Sequence, residues 1–195
     1  MMIGIGKKNN YKLNTEMLKH TYMDAAQKKA VREFLIKQFK FKNIVGLAGP
    51  DINEYIDWCR AKGYDEFEIF EANPSTMVSQ LAKLNQQVKM TFTYGDILKA
   101  DESKSDTLYD LDFCATVRHL KEHIAKFKEH FIMTFSTRIG IQETIDTFFS
   151  ARDEKIIKSE EVFSPLPHTV FTTEQGNYLF IKYCDTSAMC CFAKI

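Results

Sequence analysis

The chain reads as an α/β protein: a three-layer sandwich with a mostly parallel sheet, ending in antiparallel strands and preceded by N-terminal helices. Three observations predict this. Short apolar runs alternate with amphipathic segments from Asn43 to Phe149, at the spacing of strand–helix units. Residues 170–173, 178–184 and 189–194 are strand-like and are separated by the turn sequences Glu-Gln-Gly-Asn and Asp-Thr-Ser-Ala. Only 8 glycines and 4 prolines occur among 195 residues, so most of the chain is regular structure.

The elements follow in order. Residues 1–14 read as irregular and polar. From 15 to 40, Met17, Leu18, Tyr22, Ala25, Ala26, Ala30, Phe34, Leu35 and Phe39 recur at helical spacing, giving one or two amphipathic helices. Residues 43–47 (NIVGL) form a first strand ending in Ala-Gly-Pro. Residues 53–61 form a helix, with Tyr55, Ile56, Trp58 and Cys59 as its apolar positions and Gly63 as its stop. Residues 67–70 (FEIF) are a second strand. Pro74 and Ser75 open a helix with Met77, Val78, Leu81 and Leu84 on one face. Residues 88–93 (VKMTFT) are a third strand, followed by Tyr-Gly-Asp. A polar loop, 101–106, leads to a fourth strand at 108–113 (LYDLDF). A helix over 117–128, a strand over 131–135 (FIMTF), a helix over 141–149 and a long connection over 150–168 complete the core. No linker divides the chain, so one domain is expected over 1–195: a helical extension at 1–42 and a core at 43–195.

Composition bounds the function. Lys plus Arg and Asp plus Glu both number 26, which excludes a uniformly basic nucleic-acid coat and a polyacidic tail. The five cysteines, Cys59, Cys114, Cys184, Cys190 and Cys191, contain no CxxC pair. They fit a reducing cytosol better than a disulfide framework or a zinc site. No apolar run is long enough for a signal peptide or a membrane span, so a cytoplasmic protein is expected. The histidines lack metal-ligand spacing: His119 and His123 have no acidic partner of the HExxH type. No metal is expected.

In an open parallel sheet, ligands bind outside the carboxyl ends of the strands. After the first strand, Gly46-Leu47-Ala48-Gly49-Pro50-Asp51 lets a ligand approach the backbone, or simply forms a tight turn. After the second, Glu71 can accept hydrogen bonds from a ribose diol, or act as an acid at a helix start, with Ala72 beside it. After the third, Asp96 can accept from an exocyclic amine while Ile97 packs on a base, or Asp96 can cap a helix. On the fourth, Asp110 and Asp112 share one side of the strand. Carboxylates among Leu111, Phe113 and Cys114 are costly to bury without a ligand or hydrogen bonds. Arg118, His119, Lys121, His123, Lys126 and Lys128, and also Lys37, Lys40 and Lys42, could contact phosphates or form solvated helix faces.

Together these turns resemble the Rossmann-like class I S-adenosylmethionine-dependent methyltransferases over residues 43–195. The resemblance implies that Gly46, Ala48, Gly49 and Pro50 hold the methionine part of the cofactor. It implies that Glu71 and Ala72 meet the ribose, Asp96 and Ile97 the adenine, and Asp110 and Leu111 the cofactor's fourth-strand side. Asp112, with Asp110, is the candidate for orienting or deprotonating the methyl acceptor. Two departures are visible. The first turn is G-L-A-G-P-D in place of acid-x-G-x-G-x-G. The fourth-strand motif is D-L-D-F in place of Asp/Asn-Pro-Pro-aromatic, which argues against methylation of adenine N6 or cytosine N4. The expected activity is methyl transfer from S-adenosylmethionine to an unidentified acceptor, nucleic acid among the candidates. The alternative is a non-catalytic protein on this fold that binds a nucleoside cofactor or a protein partner. A nucleotide-dependent oxidoreductase is a weaker third, because the glycine pattern is wrong for it.

Overall fold

The computed structural model of the chain describes residues 27–48, 52–85, 87–102, 104–183 and 189–195. The expectations for residues 1–26, Gly49, Pro50 and Cys184 lie outside the described residues, as does the side chain of Cys114. Helix α1 is described over 27–36. After it come β1 (Asn43–Gly46), α2 (Ile52–Arg60), β2 (Glu66–Glu71), α3 (Pro74–Lys83) and β3 (Lys89–Tyr94). A 3-10 turn at Ile97–Lys99 leads to β4 (Thr107–Thr116). A second, at Val117–Leu120, runs into α4 (Lys121–Ile124). Then follow β5 (Phe131–Ser136), α5 (Ile141–Ala151), β6 (Lys158–Val162), β7 (His168–Thr173), β8 (Gly176–Tyr183) and β9 (Met189–Lys194).

The nine strands of the described residues form one sheet in the order β3-β2-β1-β4-β5-β9-β8-β7-β6. The pairs from β3 to β5 are parallel, and the pairs from β5 outward are antiparallel. The last strand therefore slots between β5 and β8. Alternation along each strand separates two cores. Ile44, Leu108, Ile132 and Cys191 pack under Leu35 and Ile36 of α1 and Ile52 and Ile56 of α2. Val45, Leu111, Met133 and Phe192 pack under Ile124 of α4 and Phe148 and Phe149 of α5. Phe148 stacks on Phe192 with ring centroids 3.9 Å apart. The result is the expected three-layer sandwich, mostly parallel, with antiparallel C-terminal strands and a helix before β1. Among the described residues, no helix is long and apolar enough to cross a membrane.

Three local expectations change. The connection at 150–168 contains β6, an exposed edge strand (KSEEV) that pairs with β7 through its backbone. Backbone pairing leaves no apolar alternation to read. The helix expected over 117–128 is a 3-10 turn followed by the four-residue α4. The Arg152 guanidinium takes the carbonyls of Ile124 (3.0 Å) and Phe127 (2.8 Å), which a longer helix would use internally. On α3 the buried side chain is Gln80, and Leu84 just past its end packs on the core, whereas Val78 and Leu81 are exposed, so the inward face is carried by a glutamine.

Candidate functional site

The strand order reverses between β1 and β4, with β2 and β3 on one side and β5 on the other. Such a switch point is where an α/β sheet binds its ligand. Its carboxyl edge carries Gly46–Ala48, Glu71, Tyr94–Asp96, Thr116–His119 and Ser136.

Gly46 is fixed by packing. A Cβ there would lie 2.5 Å from Tyr55 Oη and 3.0 Å from the Asp110 carbonyl oxygen. Ala48 packs against the α1–α2 core. Glu71 Oε1 accepts from the Asn73 N–H at 2.8 Å, and Asn73 in turn caps α3. The other Glu71 oxygen has no partner among the described residues. The Gly95 N–H donates to the Glu71 carbonyl at 3.0 Å, which ties the ends of β2 and β3 together. Asp96 is exposed and caps the 3-10 turn through Oδ1, accepting from the Leu98 N–H at 2.9 Å. Ile97 and Leu111 are buried in the α4–α5 core, where they face protein, while Ala72 is exposed.

Asp110 and Asp112 share a face, as their spacing predicts, and that face lies under α1. Asp110 is level with Gly46, and Asp112 with Thr134 of β5. Arg32 is ion-paired to Asp110, and Lys28 to Asp112. The Tyr55 hydroxyl donates to Asp110 Oδ2 at 3.2 Å. Asp112 Oδ1 is buried and accepts no hydrogen bond among the described residues. Around this pair the neutral acids hold their protons. Burial raises the Tyr55 and Tyr183 hydroxyls and lifts the Cys59 thiol to about 12 and the Cys191 thiol to about 11. The sequence reading missed Lys28 and Arg32 as partners of these acids. A signal was present: both sit one turn apart on the apolar stripe of Val31, Leu35 and Ile36.

Part of the basic stretch after β4 is engaged within the protein, while Lys121 stays exposed. Arg118 is ion-paired to Glu143 of α5. Lys126 Nζ donates to the carbonyls of Leu98 (2.6 Å) and Ala100 (2.7 Å). β4 itself runs to Thr116, beyond the expected end at Phe113. The side chains that stand at its carboxyl end are therefore Thr116 and His119, bonded to each other at 2.9 Å.

No protein-family model and no curated protein sequence matches the chain. Solved structures do match it. The N-methyltransferase NodS from Bradyrhizobium japonicum aligns over 87% of this chain and 95% of its own, with a TM-score of 0.53 and 8% identity. An S-adenosylmethionine-dependent methyltransferase from Clostridium acetobutylicum aligns over 93% and 98%, with a TM-score of 0.54 and 10% identity. A third, from Leishmania major, aligns over 89% and 72%, with a TM-score of 0.54 and 9% identity. NodS is also known in complex with S-adenosyl-L-homocysteine. The chain thus has the fold of the class I S-adenosylmethionine-dependent methyltransferases, at identities that speak to fold alone.

Proposed function

We propose that the chain is an S-adenosylmethionine-dependent methyltransferase. The observation that carries this is the carboxyl edge at the β1–β4 switch, where Glu71 keeps one carboxylate oxygen unpartnered among the described residues. A carboxylate at the end of β2 fits a ribose diol. Asp96, exposed at the end of β3, uses one oxygen as a cap and has the other for an adenine amine. The residues present thus fit the nucleoside half of the cofactor. Gly46 and Ala48 would border its methionine half, with Gly49 and Pro50 beyond them in sequence.

When bound, the cofactor supplies a methyl group on a positive sulfur. The protein's part is mainly to hold the acceptor in line with that methyl group. Asp112 supports this role through Oδ1, which is buried and without a hydrogen-bond partner among the described residues. It can accept from a bound acceptor only where α1 gives way to admit one. If Asp112→Asn kept full turnover, that role would fall. The buried free thiols of Cys59, Cys190 and Cys191 fit a reducing cytoplasm.

A titration calorimeter tests the proposal. S-adenosylmethionine and S-adenosylhomocysteine should both bind. Glu71→Ala should weaken them about tenfold, which is the ~1.4 kcal/mol expected for one charge-assisted hydrogen bond. No binding at high micromolar ligand would end it. One observation favours a second reading, a non-catalytic relative that works through a partner: Asp110 and Asp112 already have Arg32 and Lys28 as counter-ions.

A further inference from the structure

Thr116 closes β4 and stands at the N-cap position of the Val117–Leu120 turn. A threonine there ordinarily accepts from a backbone N–H of the turn. Here it makes no such bond. Its hydroxyl oxygen pairs with His119 Nδ1 at 2.9 Å. Thr116 is nearly buried and His119 is exposed, so the pair has a fixed root and a free tip. With Nδ1 occupied, Nε2 is the nitrogen left for a ligand. The other described imidazoles lie elsewhere. His123 lines an apolar hollow with Leu98, Phe113 and Phe127, His130 precedes β5 at the opposite edge, and His168 begins β7.

We propose that His119 is the proton acceptor of the methyl transfer, with Thr116 as its positioning residue. It follows that the acceptor carries a proton on its nucleophilic atom, as an amine or hydroxyl does. This rests on the methyltransferase reading. With Nδ1–H donated to Thr116 Oγ1, Nε2 presents its lone pair at the carboxyl edge beside the switch point. The acceptor's lone pair forms the new bond to the methyl carbon. The carbon–sulfur bond breaks, and its electron pair stays on sulfur, leaving a neutral thioether. The acceptor's proton passes to Nε2, giving an imidazolium that returns it to water. A positioned base of this kind contributes about 10²–10⁴-fold to such a step. The charged and titratable groups of its own segment and α4 are Arg118, Lys121, Glu122 and His123, and Arg118 is paired to Glu143 of α5.

The tautomer and the location can be read without knowing the acceptor. Long-range proton–nitrogen NMR of the imidazoles in the intact chain should show His119 protonated on Nδ1 and bare on Nε2 when neutral. Thr116→Val should shift the hydrogen toward Nε2. Saturation with S-adenosylhomocysteine, with binding verified by calorimetry, should move the His119 resonances and leave those of His168 in place. A wild-type His119 carrying its hydrogen on Nε2 overturns the proposal, because that nitrogen could then only donate. Bound S-adenosylhomocysteine that leaves His119 unmoved overturns it too, by placing the imidazole away from the site. Absence of binding in the calorimeter is a separate result: it removes the methyltransferase reading, and this inference with it.

Discussion

Arg32 of α1 is ion-paired to Asp110 of β4, with the two side chains only 14% and 2% exposed. Its guanidinium also lies 5.4 Å from the ring centre of Tyr55 and 5.2 Å from that of Trp58. A helix outside the parallel repeat thus neutralises the most deeply buried carboxylate of the sheet. Breaking one side leaves the other charge buried, so Arg32→Leu should cost about 3–5 kcal/mol in urea denaturation. Replacing both, as Arg32→Leu with Asp110→Leu, should recover much of that, because no charge is left stranded. A single variant as stable as the native chain would mean that α1 does not hold the acid in solution.

Gly46 is a packing glycine. Gly46→Ala should destabilise the chain by about 1–3 kcal/mol, as overpacking does, with no cofactor present. Removing the hydroxyl that meets the new methyl, in Gly46→Ala with Tyr55→Phe, should be less damaging than the sum of the single changes. The Asp110 carbonyl at 3.0 Å limits how complete that rescue is. Additive effects in the double variant would show that the Tyr55 hydroxyl is not the obstacle.

What was legible in the sequence is what periodicity records. The buried parallel strands β1, β4 and β5 carry their own apolar runs, and the turns at Glu71 and Asp96 stand where the spacing placed them. What was hidden depends on distance in sequence or on backbone alone. The edge strand β6 is polar along its length, and nothing in KSEEV marks a partner. The end of β4 at Thr116 is set by pairing with Ser136, which the local pattern does not contain. Asp110 and Asp112 were visible as acids in an apolar run. Their partners Lys28 and Arg32 lie 84 and 78 residues away; their place on the apolar stripe of α1 marks them as inward charges, but nothing local says which acids they meet.

Arg152 closes the other face of the sheet. Its side chain and that of Glu154 are each 4% exposed, and they pair at 2.9 Å. The Tyr178 hydroxyl donates to Glu154 Oε1 at 2.7 Å. The guanidinium also holds the carbonyls of Ile124 and Phe127 at the end of α4. Arg152→Met should therefore cost about 3–5 kcal/mol, by stranding the Glu154 charge and uncapping α4 together. Arg152→Lys should recover only part, because one ammonium cannot reach the same set of acceptors. Hydrogen exchange should show the 121–128 amides opening first in both variants. Unchanged protection there would remove the capping role.

The buried thiols and phenols set an alkaline limit. Burial lifts the Cys191 thiol from 9.0 to about 11, and the Cys59 thiol and Tyr109 hydroxyl to about 12. For Cys191, the folded chain keeps between pH 9 and 11 a proton that the unfolded chain has released. More protons bound in the folded state means stability that falls as pH rises. Stability from these groups is therefore complete below about pH 9 and is lost on the way to pH 11–12. Thermal unfolding should hold a level midpoint from neutrality to pH 9 and then drop steeply. Cys191→Ala should lower the midpoint at every pH through lost packing, yet make the fall between pH 9 and 11 shallower. An equal slope in the variant and the native chain would exclude Cys191 from the transition and leave Cys59 and the phenols to account for it.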